Sequence, residues 1–310
     1  MKKRLLFILL CFSMLFTVAC ASEGDYYAGF LVDTSVQEDG AEIPAGGEYF
    51  KQSTKATYKA GQNMPETAEN GDTYTIGDYI YTMKTDGWSV SLAGDKTKEA
   101  YDEILENIAN FPITDLTELY KGCVNMKVSP KIPDTVNTLN YTFNGCTSLT
   151  DAPQLPSSAK YMYYTFYECS ALVNATDIPA GVTNMKYAFS CCTSLTKAPK
   201  LPDGVKVLTN SFEKTAIVVA PEIPATVTDL SATFMNCTQL TTVSTIPEKV
   251  DYLADTFRGC TSLTGVIEIN ANPSNRGGCF GGVNFAEQGI ELTGSSTMLD
   301  KILATGVVLQ

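Results

Sequence analysis

The chain has 310 residues, enough for one or two domains, of which 44% are hydrophobic, and it carries a formal charge of −12 with no histidine. The lack of histidine excludes Ser-His-Asp and Cys-His catalytic units and removes the commonest general base and zinc ligand. The acidic balance repels nucleic acid and anionic lipid head groups, which excludes both as partners.

The N-terminus carries an export signal. Three basic residues precede the apolar run LLFILLCFSMLF, and small residues stand before Cys20. This looks like a bacterial lipoprotein signal, in which residues 1–19 are removed and Cys20 receives lipid. The alternative is an ordinary secretory signal cleaved near the same place. Loss of the three basic residues shifts the formal charge from −12 to −15. The prediction is an exported, surface-exposed protein held on the cell envelope only by its lipid.

Residues 20–72 follow as an acidic flexible stalk, because 21–50 contain seven Asp or Glu and no Lys or Arg. Residues 73–112 are interpreted as an N-terminal cap. TYTIGDYIYTM and WSVSL, separated by KTDG, predict a β-hairpin. DKTKEAYDEILENIAN over 95–110 spaces Tyr101, Ile104, Leu105 and Ile108 as on a one-faced helix.

Residues 113–282 contain an internal repeat of 22–23 residues. The unit is Leu-x₃-Phe-x₂-Cys-x₂-Leu-x₅-[Leu/Ile]-Pro-x₂-Val, in about seven copies. The first column is Leu116, Leu139, Met162, Met185, Leu208, Leu230 and Leu253. The aromatic column is Tyr120, Phe143, Phe166, Phe189, Phe212, Phe234 and Phe257. The third column is Cys123, Cys146, Cys169, Cys192, Thr215, Cys237 and Cys260.

Such a repeat predicts an α/β solenoid with a parallel sheet of short strands. No unit can close a core alone, so the three columns become continuous interior ladders. We expect one short strand per coil in the LTxAPxLP stretch, bounded or interrupted by its prolines, and a helical or 3₁₀ turn in LxxxF. The copy that lost its cysteine is also one residue shorter, which predicts a local distortion. Residues 283–310, with a strand at IELTG and a helix at SSTMLDKILATG, form the C-terminal cap.

The stretches YAFSCCTSLTKAPKLPDGVKVL and YTFNGCTSLTDAPQLPSSAKYM resemble the BspA-like leucine-rich repeats of bacterial surface proteins. The resemblance covers about 116–282 and departs from the common form in an additional proline before xLP. It implies a leucine-rich repeat fold and a cell-surface location, with adhesion as the role of some members. It does not identify a ligand, because leucine-rich repeats serve many binding functions.

The pattern of the repeated cysteines favours a role as buried core residues over a role in disulfide bonds or metal binding. Every coil carries the same small residue and one carries Thr215, which indicates a weakly polar interior position filled by free, buried thiols. The alternatives are disulfides between stacked coils or a metal site, for which neither a CxxC motif nor a histidine is present. Cys11 leaves with the signal, and Cys191 and Cys279 stand outside the column.

The candidate ligand-binding residues are tyrosines. Tyr141, Tyr164 and Tyr187 stand two residues before the repeat aromatic in three consecutive coils, with Tyr161 and Tyr163 nearby. Clustered, partly exposed aromatics mark binding faces, here for a protein or a glycan. The alternative is that the rings only shield the edge of the sheet.

Enzyme motifs, catalytic residues and cofactor-binding patterns are not found, so the chain is predicted not to be an enzyme and to need no cofactor or metal. The sequence favours a lipid-anchored binding protein for adhesion to a host or neighbouring-cell protein or glycan. The alternative is a structural or nutrient-capture component that docks a cell-envelope partner.

Overall fold

The computed structural model describes residues 56–57, 68–108, 111–295 and 300. The signal segment, the lipid site at Cys20 and most of the predicted stalk lie outside these residues. Two residues assigned to the stalk, Ala56–Thr57, form strand β1. Within the described part of the chain, no helix is long and apolar enough to cross a membrane.

The N-terminal cap is a sheet with the strand order β1-β2-β3-β4-β6-β5. Its strands are β2 (Thr73–Ile76), β3 (Tyr79–Lys84), β4 (Gly87–Leu92), β5 (Asn107–Ile108) and β6 (Phe111–Asp115). β3 and β4 pair antiparallel where the hairpin was predicted. Its first half divides into two strands, because the chain turns at Gly77 and pairs β2 antiparallel to β3.

The helix predicted over 95–110 is wrong: residues 94–106 contain no helix, and β5 pairs antiparallel with β6. Two tyrosine hydroxyls of the hairpin form hydrogen bonds with backbone groups that would otherwise pair within the helix. The Tyr79 hydroxyl donates to the Asp102 carbonyl, and the Leu105 N–H donates to the Tyr81 hydroxyl at 3.4 Å. Ile104 is buried, so the apolar spacing reports packing on the sheet rather than a helical face.

The repeat region is a solenoid, as predicted, and all three columns are buried. The aromatic rings stack in one file with centroids 5.2–5.9 Å apart. The file has eight rings, since Phe280 in GGCFGG extends it beyond Phe257. We number the coils first to eighth by these rings, from Tyr120 to Phe280.

The strand position within the coil differs from the prediction. A single column of parallel bridges runs through the residue before each first-column Leu or Met, from Asp115↔Thr138 to Tyr252↔Asn275. The LTxAPxLP stretch, where strands were expected, makes only occasional bridges such as Asp151↔Asn174 and Val219↔Thr242. The prolines in that stretch have no N–H to donate, which prevents a continuous ladder there.

The LxxxF segment is a chain of turns with an unusual backbone, and the helical or 3₁₀ turn predicted there is wrong. Residues 113–282 contain no helix, so the α part of the predicted α/β class is not confirmed in the coils. Alternate N–H groups donate to the next coil, as from Tyr141 to Tyr163, and the others close tight turns, as from Thr142 to Leu139. The geometry needs positive φ at two sites per coil, two residues before and two residues after the ring. The first lane is Glu118, Tyr141, Tyr164, Tyr187, Asn210, Ala232, Asp255 and Gly278. The second lane is Gly122, Gly145, Glu168, Cys191, Lys214, Asn236, Gly259 and Gly282.

The expected distortion of the fifth coil is present. The first to fourth, sixth and seventh coils close a turn between the column cysteine and the Leu or Met three residues later, as from the Leu195 N–H to the Cys192 carbonyl at 3.0 Å. In the fifth coil one residue is missing between Thr215 and Ile217, and the described hydrogen bonds include no such closure there. Ile217 is still fully buried, so the core is filled while the turn is lost.

The C-terminal end begins with β7 (Gly265–Ile269), which pairs in parallel with β8 (Ile290–Gly294), the strand predicted at IELTG. Between them lies α1 (Phe285–Gln288), a helix that the sequence pattern does not predict. The Gln288 side chain donates to the carbonyls of Cys260 and Leu263 and thereby covers the end of the seventh coil. The helix predicted over 295–306 lies outside the described residues, apart from residues 295 and 300.

Candidate functional site

The column cysteines are free, as predicted, and their role is structural. Each thiol from the second coil onward donates to the carbonyl of the ring residue in the preceding coil, as from Cys192 Sγ to the Phe166 oxygen at 3.0 Å. Four others do the same at 2.9–3.2 Å: Cys146, Cys169, Cys237 and Cys260. Burial raises the pKa of Cys237 to about 11, so the thiol stays protonated and keeps donating.

The first left-handed lane carries the candidate binding residues. Tyr141, Tyr164 and Tyr187 are half-buried and stack face to face, with ring centroids 4.7 and 4.5 Å apart. Tyr167, from the position after the third ring, leans on Tyr164 at 5.4 Å and on Tyr187 at 6.2 Å. We call these four residues the tyrosine stack. Its first three members were predicted from the sequence.

Tyr167 was missed because its column holds Asn144, Ser190 and Glu213 in the neighbouring coils, so no repeat signal marks it. Tyr161 and Tyr163 are near in sequence, but among the described ring contacts neither touches the tyrosine stack. Tyr161 lies in the bridge column and is 49% exposed. Tyr163 is half-buried, and its backbone N–H donates to the Asn140 side chain at 3.0 Å.

Cations lie over both outer rings of the tyrosine stack. Lys121 Nζ is 5.2 Å from the Tyr141 ring centroid, and Lys186 Nζ is 5.8 Å from that of Tyr187. The faces of Tyr164 are covered by its two stacked neighbours. A partner would therefore meet ring edges and hydroxyls rather than open ring faces. Burial raises the pKa of Tyr141, so its hydroxyl is protonated and can both donate and accept.

The lane turns polar in the fifth coil. Asn210 takes the place of Tyr187, and its side-chain amide donates to the Glu213 carboxylate at 2.9 Å. Ser190 donates to the same carboxylate oxygen at 3.3 Å. Glu213 is 7% exposed and is held by these bonds. This buried polar cluster bounds the tyrosine stack on one side, and the Lys121–Glu118 ion pair bounds it on the other.

Comparison with known proteins agrees with this repeat geometry. The family model described as "BspA type Leucine rich repeat region" matches residues 117–241 and 200–291 in six copies, which is more than half of the chain. The chain belongs to the BspA-type leucine-rich repeat family. A comparison with curated proteins finds no match.

Three solved structures are similar to this BspA-type chain. A leucine-rich repeat protein of T. pallidum shares 18% identity at a TM-score of 0.49, over 74% of this chain and 94% of that one. A leucine-rich repeat protein of Bacteroides ovatus shares 20% identity at 0.42, over 67% and 50%. A leucine rich cell surface protein of Faecalibacterium prausnitzii shares 18% identity at 0.37, over 76% and 98%.

The chemistry available at the site is recognition. The described residues contain no group of three or more His, Cys, Asp or Glu side chains placed to hold a metal ion. The tyrosine stack offers apolar ring edges and hydroxyls flanked by two lysines, of which Lys121 is paired with Glu118, and these groups suit contact with a macromolecule.

Proposed function

We propose that this protein is a lipid-anchored, surface-displayed adhesin that binds a protein partner through the tyrosine stack. The observation that carries the proposal is the stacking of three half-buried tyrosines in consecutive coils. Tyrosine supplies a large contact area at a low conformational cost, and such rings dominate the energetics of protein interfaces.

The backbone supports this view of the stack. All three tyrosines have φ between 55° and 57°, where a side chain other than Gly, Asn or Asp is uncommon. Asn210 fills the same position in the next coil. The local conformation disfavours tyrosine, and its use in three consecutive coils supports a role for the rings in contact with a partner.

The geometry favours a protein over a glycan. Sugars bind tyrosine mainly across an open ring face, and the inner faces of this stack are covered at centroid distances of 4.5–4.7 Å. Edges, hydroxyls and lysines match a protein surface with apolar and acidic groups.

Substitution of Tyr141, Tyr164 and Tyr187 by Asn tests the proposal. Asn keeps the left-handed backbone and removes the rings. Binding of the fluorescently labelled chain would be measured on arrays of extracellular proteins and of glycans. We expect protein binding that the triple variant loses. Tyr252→Asn is the matched control, because Tyr252 is 46% exposed in the bridge column and away from the stack. Equal binding by the triple variant would refute the assignment.

Exposure of the repeats on the cell surface requires a separate test. The second candidate function is the docking of a partner within the envelope, and it does not require such exposure. Protease treatment of intact cells should release repeat fragments from 116–282 if the solenoid faces the medium. Survival of these fragments until the envelope is broken would contradict adhesion. Cys20→Ser should abolish incorporation of radiolabelled fatty acid and release the chain from the membrane fraction.

A further inference from the structure

A groove of about 600 Å³ crosses the third, fourth and fifth coils. Its lining comes from the LTxAPxLP stretches, with Ala175, Ala198 and Pro199 among the residues, and no member of the tyrosine stack lines it. The volume lies within the range of ligand-binding pockets. The fifth coil, which lacks one residue, supplies one side of the groove through Pro221 and Pro224.

Some main-chain groups at this groove make no backbone bond to the neighbouring coil, although the Ile178 N–H donates to the Lys200 carbonyl at 3.1 Å. In the second coil the Ala152 N–H donates to the next coil at 2.9 Å, and in the fifth coil the Ala220 N–H does the same at 2.9 Å. The equivalent N–H groups of Ala175 and Ala198 make no backbone bond within the described part of the chain. The carbonyl of Lys197 likewise accepts none there. The groove therefore contains main-chain donors and acceptors that the fold leaves unused.

Charges of both signs also line the groove. Lys197 and Lys200 stand on the fourth coil with Asp203, between Asp177 of the third coil and Glu222 of the fifth. None of these side chains belongs to an ion pair among the residues that the structure describes. The Asp177 carboxylate accepts from the Lys200 N–H at 3.3 Å, and the mixed charges of the groove match a ligand that carries both basic and acidic groups.

We infer that this groove binds an extended peptide segment that carries both acidic and basic side chains. The unused backbone groups match the main chain of such a segment, as in strand addition, and the two lysines and three carboxylates match its side chains. The groove lining contains no aromatic ring on which a sugar could stack. This second site is independent of the tyrosine stack.

The test uses a library of random linear twelve-residue peptides as the probe, selected on the chain without residues 1–19. We expect enriched sequences to carry residues of both signs. A synthetic copy of the best peptide would then be compared with a copy that is N-methylated at alternate residues. Because N-methylation removes main-chain donors and keeps the side chains, we expect at least a ten-fold loss of affinity.

Ala198→Trp would fill the groove and should weaken the selected peptide at least ten-fold. Ala152→Trp is the matched control at the same repeat position in the second coil, outside the groove, and should bind normally. The double variant Lys197→Glu, Lys200→Glu tests the charges without changing the volume, with Lys160→Glu as its control. Circular dichroism would verify that each variant folds.

Three outcomes would overturn the inference. The first is a selection that enriches nothing on the wild-type chain. The second is a selected peptide that binds the Ala198→Trp and double-lysine variants as tightly as the wild type. The third is a glycan that binds the wild-type chain on the glycan array and no longer binds Ala198→Trp, which would assign the groove to carbohydrate instead.

Discussion

We expect the file of stacked rings to be the main source of the free energy of unfolding. Substitution of Phe189, near the centre of the file, tests this. Phe189 is fully buried between the rings of Phe166 at 5.3 Å and Phe212 at 5.8 Å. Replacement of a buried Phe by Ala costs about 3–5 kcal/mol through lost burial and the cavity. Each stacked pair adds about 0.5–1.5 kcal/mol beyond area. We expect Phe189→Ala to lower the free energy of unfolding by about 5 kcal/mol.

Phe189→Leu separates volume from stacking. Leu fills most of the space and loses both ring pairs, so we expect a cost of about 2 kcal/mol. Urea unfolding would be followed by far-ultraviolet circular dichroism and by the fluorescence of Trp88, the only tryptophan, which is buried in the N-terminal cap. Because a solenoid couples only neighbouring coils, the unfolding midpoints measured by circular dichroism and by Trp88 fluorescence should differ most in Phe189→Ala.

Phe280, at the end of the ring file, provides a comparison with Phe189. Phe280 stacks on one ring only, Phe257 at 5.2 Å, and meets Phe285 by its edge. We expect Phe280→Ala to cost less than Phe189→Ala and to leave the Trp88 transition unchanged. Equal costs for Leu and Ala at position 189, or a cost below about 1 kcal/mol for Phe189→Ala, would refute the reasoning.

Three further predictions concern the thiols, the left-handed lanes and the cap. Burial raises the pKa of Cys237 from 9.0 to about 11, so its contribution to stability is complete below pH 9 and is lost as the pH rises towards 11. Cys237→Thr should therefore reduce the fall in urea stability between pH 7.5 and pH 10.5, and an unchanged fall would contradict this. Glu168→Gly should stabilise the fold by about 0.5–1 kcal/mol, because Glu168 has φ 59° where Gly145 fills the same place in the second coil; a lower melting temperature would count against it. Tyr79→Phe should cost about 1–2 kcal/mol, since its hydroxyl bonds the Tyr120 hydroxyl at 2.7 Å and a cap carbonyl, and Trp88 fluorescence would detect the loss.

The interior could be predicted from the sequence because each column repeats one kind of residue at a fixed interval. Burial of the Leu, ring and Cys columns follows directly from that period. The cap helix could not be predicted correctly. The spacing of Tyr101 and Ile104 fits a helix, yet the hydroxyls of Tyr79 and Tyr81 bond the backbone that the helix would use.

Three of the four members of the tyrosine stack could be predicted from the sequence. Three of its members share a repeat position, and the alignment of coils brings them together. Tyr167 reaches the stack from a different position, which only the direction of its side chain reveals. The groove was not predicted at all. The N–H groups of Ala175 and Ala198 in its lining make no backbone bond among the described residues, and no residue type predicts a missing bond.

The two left-handed lanes restrict how this surface can change. None of their residues is β-branched, and the backbone at these sites strongly penalises Val, Ile and Thr and excludes proline, whose ring fixes φ at about −65°. The lanes accept glycine, asparagine, aspartate, alanine and, at a cost, long or aromatic side chains. A new binding specificity at these sites would therefore draw on a restricted set of residue types, at two positions per coil. Because the core columns lie elsewhere in each coil, residues at these sites could be substituted one at a time without repacking the interior.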